Sequence, residues 1–239
     1  MIFPVKVPYQ ITADISKYQG EVFNASPDPA YLYQKRLEIE RFGDQVCAEI
    51  SSAKESINLV CDYLGQPHIS ISELALMMEE DIAILKQGKL EAICFCFPSG
   101  FVPSQKLGMN FFEMHLPVAD GERLRGASEK VSALISAEGN MFRRFVWTVT
   151  SLSGLSQHPS LVRPEPSGIS DLYFRTETQT TIGLADQVCL FLVKVEMHPL
   201  SVVWDDREKR SQLMESIRSM TEETLTYKNL HQIKRLLNS

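Results

Sequence analysis

The stretch from Asp81 to Phe97, "DIAILKQGKLEAICFCF", decides the fold. Apolar residues fill both arms, and Gln87-Gly88 interrupts them where a two-residue turn suits a β-hairpin. The second arm is almost wholly apolar, which predicts a strand covered on both faces. "PSGF" (98–101) ends it. Downstream, "MFRRFVWTVT" (141–150), "DLYFRTETQTTIG" (171–183) and "QVCLFLVKVEMHPL" (187–200) are rich in β-branched and aromatic residues and read as three more strands. Consecutive strands joined by short connections or loops predict an antiparallel sheet.

Upstream, residues 1–27 read as irregular or partly extended. Asp28-Pro29 then opens a helix, with Asp28 as N-cap, Pro29 in the first turn, and Leu32, Leu37 and Ile39 as apolar contacts. Val46, Ile50, Ile57, Val60 and Leu64 recur at helical spacing and predict a second helix over 44–64. "SISELALMMEED" (70–81) reads as a short helix capped by Ser70 or Ser72, with Ile71 as a staple. "SEKVSALISAEG" (128–139) reads as a helix closed by Gly139. The Ser-, Pro- and Gly-rich segment 151–170 is a long loop, and the charged segment from Asp205 reads as one or two helices. The expected fold class is α+β, in one domain spanning 1–239. It has a helical N-terminal part (1–80), an antiparallel sheet core (81–204) and C-terminal helices (205–239).

The 239 residues are 44% hydrophobic, enough for a substantial core. The net charge of −6, with no run of Lys or Arg, argues against nucleic acid and anionic membrane surfaces as partners. No stretch approaches the roughly 20 apolar residues that cross a bilayer. "MIFPVKVPYQ" at the start lacks an apolar segment of signal-peptide length, so the expected location is cytoplasmic. The five cysteines are odd in number and lack a paired framework, which suits a reducing compartment. Cys94 and Cys96, two apart in a strand, share a face, and buried thiols are their plainer reading. The chain contains no dinucleotide-binding glycine fingerprint, phosphate loop, nucleophile elbow or iron–sulfur cysteine set. Redox chemistry on this chain would therefore take electrons from a partner.

His115 lies in "KLGMNFFEMHLPV" (106–118), just after the phenylalanine-rich "CFCFPSGF" (94–101). It is either a core histidine with satisfied ring nitrogens or a metal ligand. None of the five histidines pairs with another at metal-ligand spacing. Heme iron needs only one axial histidine, because the porphyrin supplies four nitrogens. In "FRRFVW", Arg143 and Arg144 point to opposite faces of a strand, so at most one faces a given pocket. An inward arginine would clamp a carboxylate such as a heme propionate; the alternative is a surface ion pair. In "FRTETQTT", Arg175, Glu177 and Gln179 share one face, and Thr176, Thr178 and Thr180 the other. That polar stripe is either solvated or lines a cavity. In the second case Glu177 is the carboxylate placed to accept a proton or hold a cationic amine.

"EEDIAIL", "CFPSGF", "KLGMNFFEMHLPV", "FRRFVW" and "TETQTTIGL", in that order, resemble the heme-dependent oxidative N-demethylase alpha-subunit family, as does the "PDPAYLYQKR" helix. The resemblance implies a PAS-like heme-binding fold and oxygen-dependent removal of a methyl group from a small secondary amine, with formaldehyde as coproduct. It also implies heme b as cofactor and electrons from a separate flavin and iron–sulfur reductase. By the same resemblance, His115 is the axial ligand and Glu177 the catalytic carboxylate. Arg143, Arg144, Trp147 and Gln179 then complete the cofactor site. The sequence departs from the family pattern at Phe101, where tryptophan is usual, and at Phe145-Val146. It departs again at Thr178, Ile182 and Gly183, which stand where arginines are usual. A non-catalytic PAS-like protein that binds heme or a small ligand as a sensor is the alternative.

Overall fold

A computed structural model describes residues 1–237. Asn238 and Ser239, at the end of the expected C-terminal helices, lie outside the described residues. The seven strands are β1 (Ser16–Lys17), β2 (Cys47–Glu49), β3 (Asp81–Lys86), β4 (Lys89–Cys94), β5 (Met141–Thr150), β6 (Tyr173–Gly183) and β7 (Val188–Pro199). They form one sheet in the order β1-β5-β6-β7-β3-β4-β2, and every neighbouring pair is antiparallel. The helices are α1 (Pro29–Phe42), α2 (Lys54–Tyr63), α3 (Ile71–Ala75), α4 (Phe111–Met114), α5 (Glu122–Gly126), α6 (Ser128–Ser136), α7 (Ser201–Trp204), α8 (Arg207–Arg218), α9 (Glu222–Tyr227) and α10 (His231–Leu237). The fold is α+β, as expected. Among the described residues no helix is long and apolar enough to cross a membrane.

The hairpin forms where the sequence places it. Gln87 and Gly88 both have positive φ, 51° and 75°, as a type I′ turn requires. β3 is buried along nearly its whole length, and the inner half of β4 is buried too. The core divides in two. One cluster packs β3, β4 and the first half of β7 against α2, α3 and α6, through residues such as Ile57, Leu74, Ile84, Ile93, Val131 and Leu190. The other packs Trp147, Val149 and Phe174 of β5 and β6 against Leu213, Ile217, Leu225 and Ile233 of the C-terminal helices.

Four expectations change. The helix over 44–64 is real only at Lys54–Tyr63; Cys47–Glu49 instead pairs with β4 as an edge strand. The apolar spacing across 46–50 serves an edge strand, because the neighbouring β4 offers hydrogen bonds that local periodicity does not record. α1 begins at Pro29 and is capped by Asp28, as expected, but the residue it buries is Lys35, whereas Leu37 is exposed. The segment after Asp205 breaks into three short helices rather than one or two. The cap of α3 is Ser70, in a reciprocal capping box with Glu73, and Ile71 sits buried in the first turn rather than before it.

Candidate functional site

α4 is a single turn, and its N-terminus explains why it forms. Asn110 accepts from the Glu113 backbone N–H, and the Glu113 carboxylate accepts from the Asn110 N–H. The turn ends at His115. The His115 Nδ1 lies 2.6 Å from the Phe111 carbonyl oxygen, and the ring stacks on Phe111 at 4.1 Å. A carbonyl only accepts, so Nδ1 carries the proton and Nε2 keeps its lone pair. The segment is held from behind: Arg125 donates to the Val118 carbonyl at 2.9 Å, and Lys106 to the Met114 carbonyl at 3.4 Å. Burial pushes the His115 pKa down, and the cations Arg144, Lys106 and Arg125 push it further the same way. The imidazole is neutral at pH 7, with an uncommitted nitrogen.

Arg143 and Arg144 behave as the strand alternation requires. Arg143 is fully engaged. It donates to Thr180 Oγ1 at 3.0 Å and to the Glu21 carbonyl at 3.1 Å, and its guanidinium lies 3.5 Å from the Tyr18 ring centroid. Arg144, opposite Gln179 in the β5–β6 register, has a buried Nε with no hydrogen-bond partner. Burial lowers its pKa, while Glu177, Asp14 and Tyr9 act against that. A buried guanidinium donor without an acceptor is the feature an incoming carboxylate would complete.

The polar stripe of β6 is neither solvated nor free. Arg175 pairs with Glu177 Oε1, and Gln179 donates to Glu177 Oε2 at 2.7 Å. Arg175 also reaches the Phe97 carbonyl at 2.8 Å, Ser99 Oγ at 3.3 Å and the Leu155 carbonyl at 3.3 Å. Burial raises the Glu177 pKa, but Arg175 and Gln179 together outweigh it and hold the carboxyl below its ordinary value. Glu177 is thus an ionised, buried carboxylate with both oxygens occupied. Trp147 stands apart from this group. It stacks on Phe174 at 5.9 Å and meets Tyr9 edge-on, inside the C-terminal core cluster.

The structure therefore gathers Arg144, Gln179 and Glu177 on one face of the sheet, with Arg144 close enough to His115 to act on its charge. It sends Arg143 and Trp147 to other contacts. Two clefts, of about 260 and 420 Å³, are lined by residues such as Tyr9, Asp120 and Thr221, and Tyr63, Met141 and Leu184. Neither includes His115, Arg144 or Glu177. Among the described residues no three His, Cys, Asp or Glu side chains gather as a metal cluster. Heme asks for less: one neutral histidine nitrogen and cations for its propionates, and His115 and Arg144 fit that demand.

Three residues of this neighbourhood carry more than their sequence context suggested. Arg175 was only one member of a stripe, yet it anchors the "CFPSG" turn. Asp81 accepts from the Phe97 N–H at 2.8 Å, on the other side of the same residue. Lys35 is fully buried, donates to the Met78 and Glu80 carbonyls and lies 3.6 Å from Asp81. The signal for Asp81 was its place after the Glu79-Glu80 pair; a lysine in an otherwise surface-like helix gave none. The missing arginine at Gly183 has a steric account: a Cβ there would lie 2.0 Å from the Ala137 carbonyl oxygen.

No curated protein matches the chain. The family model described as "Haem-dependent oxidative N-demethylase, alpha subunit-like" matches residues 33–237, which takes in most of α1, the whole sheet beyond β1, His115, the Arg143-Arg144 pair and the Arg175–Gln179 stripe. The chain belongs to the heme-dependent oxidative N-demethylase alpha subunit-like family.

Proposed function

We propose that this chain is the heme-binding catalytic subunit of an oxygen-dependent N-demethylase acting on a small secondary amine, on a PAS-like scaffold that works as one domain. The observation that carries the reading is the tautomer of His115: its Nδ1–H is committed to the Phe111 carbonyl, and Nε2 presents a lone pair. His115 would hold the iron of heme b, and Arg144 would meet a propionate with its unpaired donor. Bound heme would supply oxygen activation.

The balance of the reaction is R–NH–CH₃ + O₂ + 2 e⁻ + 2 H⁺ → R–NH₂ + HCHO + H₂O. The electrons come from a separate reductase carrying flavin and an iron–sulfur cluster, since this sequence contains no dinucleotide fingerprint or cluster-binding cysteine set. The protein's own contributions are three. Phe111 and the Arg125 and Lys106 contacts fix the imidazole. Arg144 neutralises carboxylate charge. The ionised Glu177, steadied by Arg175 and Gln179, gives the site a negative group that favours a protonated amine over a neutral one.

The test is a heme titration followed by its Soret band. Wild type should take up one heme, and His115→Ala should lose it or bind at least ~10-fold more weakly, while circular dichroism stays unchanged. Arg144→Met should weaken uptake without shifting the band, because it leaves the axial ligand in place. If wild type takes up no heme, or His115→Ala gives the wild-type spectrum, the reading is wrong.

One observation favours the non-catalytic alternative, a heme or small-ligand sensor: both Glu177 oxygens already have protein partners. Formaldehyde release decides between the two. Heme-loaded protein, a reductase of the flavin and iron–sulfur class and a panel of N-methyl amines should yield it. Tight heme binding with none released would support the sensor.

A further inference from the structure

Cys47 of edge strand β2 and Cys94 at the end of β4 are direct cross-strand partners. The flanking backbone bonds show which kind of pair they form. Phe95 N–H donates to the Val46 carbonyl and Ile50 N–H to the Glu91 carbonyl, so the hydrogen-bonded positions of this ladder are the even-numbered residues of β2 and its flanks. Cys47 therefore occupies a non-hydrogen-bonded site, where opposed Cα atoms approach to about 4.5 Å and side chains come closest. That separation falls within the range a disulfide spans, about 4.4–6.8 Å. The Cys94 thiol is also in hydrogen-bonding reach of both Cys47 and Cys96. Three of the five thiols thus meet at one edge of the sheet, and all are free.

Their exposure is unequal. Cys94 and Cys96 are buried, and Cys47 is partly exposed. Cys61 and Cys189 are buried elsewhere and have no cysteine as strand partner. A solvent-borne oxidant therefore reaches this cluster through Cys47.

We propose that Cys47 and Cys94 form a reversible disulfide when the protein meets hydrogen peroxide, making this edge a redox-modification site. The Cys47 sulfur attacks the peroxide, the O–O bond breaks, an S–O bond forms and water leaves. The Cys94 sulfur then displaces the hydroxyl of the Cys47 sulfenic acid, forming the S–S bond and a second water. Two thiols lose one electron each, and one peroxide gains both. The result ties the edge strand β2 to β4 covalently, and a dithiol reductant reverses it. The neighbouring Cys47 and Cys96 thiols, and then burial, raise the Cys94 pKa, so the partly exposed Cys47 reacts first; Cys94 gives up its proton only as the sulfenic hydroxyl leaves as water.

The experiment exposes the full-length folded protein to hydrogen peroxide, quenches it with an alkylating agent, and counts the remaining thiols of the unfolded chain. Non-reducing peptide mapping by mass spectrometry identifies any linked pair. Wild type should lose two of its five thiols and yield a Cys47–Cys94 linked peptide that dithiothreitol removes. Cys47→Ser, checked for an unchanged circular dichroism spectrum, should slow that loss by at least ~10-fold; Cys94→Ala, checked the same way, should lose at most one thiol and yield no Cys47-linked peptide. Cys61→Ser and Cys189→Ser should lose thiols at the wild-type rate. No thiol loss in wild type, a Cys94–Cys96 or interchain link, oxidation of Cys47 without a link, or an undiminished rate in Cys47→Ser would overturn the proposal.

Discussion

Asp81 on β3 and Glu177 on β6 are both buried carboxylates facing a buried cation, and both are tied to the Phe97 backbone. Asp81 accepts from its N–H; Arg175, the partner of Glu177, donates to its carbonyl. Yet their ionisation moves in opposite directions. Burial raises the Asp81 pKa, and Lys35 and the Phe97 N–H only partly offset it. Glu177 ends below its ordinary value. The difference lies in the number of donors. Lys35 spends its protons on the Met78 and Glu80 carbonyls and approaches Asp81 Oδ1 only to 3.6 Å, which leaves that oxygen in charge contact but without a hydrogen bond. Each Glu177 oxygen receives one directly. Burial alone therefore does not set the charge state; the donors that replace water do.

Breaking the better-compensated pair should cost most. Arg175→Met removes the partner of Glu177 together with the bonds to Phe97, Ser99 and Leu155, and should destabilise the fold by roughly 3–5 kcal/mol in urea unfolding. Next comes Glu177→Gln, which leaves Arg175 without its counter-charge but retains an acceptor oxygen; roughly 2–3 kcal/mol is expected. This variant should also weaken amine binding while heme loading stays intact, if Glu177 selects the cationic substrate. Asp81→Asn should cost least, about 1 kcal/mol, because its amide oxygen still serves the Phe97 N–H and Oδ1 had no bond to lose. A larger loss in Asp81→Asn than in Glu177→Gln would invert the comparison.

The smallest effect is in pH dependence, and its sign is diagnostic. The Glu177 contribution is present above the unfolded value of about 4.3 and is lost as pH falls through its lower folded pKa. Asp81 runs the other way: its contribution is present below about 3.9 and is lost as pH rises through its raised folded pKa. The stability advantage of wild type over Glu177→Gln should therefore shrink on acidification, whereas its advantage over Asp81→Asn should shrink as pH rises. Thermal denaturation of the three proteins across the acid range measures both slopes. Parallel slopes would show that the two carboxylates share one environment.

Much of this neighbourhood was legible in the residues. The alternation in "FRRFVW" separates Arg143 from Arg144, and the structure shows one engaged and the other with an unsatisfied donor. The spacing of "FRTETQTT" puts Arg175, Glu177 and Gln179 on one face, where they bond to one another. Their mutual satisfaction was not legible, because it depends on rotamers and on the Phe97 and Leu155 carbonyls arriving from distant segments. Trp147 falls near a family tryptophan, but its ring packs with Phe174 and the C-terminal helices, a contact set by chain segments far away in sequence.

The sequence by itself determined the elements whose causes are local. Gln87-Gly88 makes the hairpin turn, Asp28 starts its helix, a serine at 70 or 72 starts the next short one, and the β-branched and aromatic run 141–150 becomes β5 residue for residue. These follow from backbone sterics, capping and side-chain alternation, which act over a few residues. Tertiary structure alone decided that 47–49 is an edge strand rather than helix, that Lys35 is the buried residue of α1, and that Cys47 meets Cys94. It also decided that the pKa values of Glu177 and Asp81, alike in sequence character, shift in opposite directions. Each of those outcomes is set by partners far away along the chain, whose donors, acceptors and apolar surfaces only the assembled sheet brings within reach.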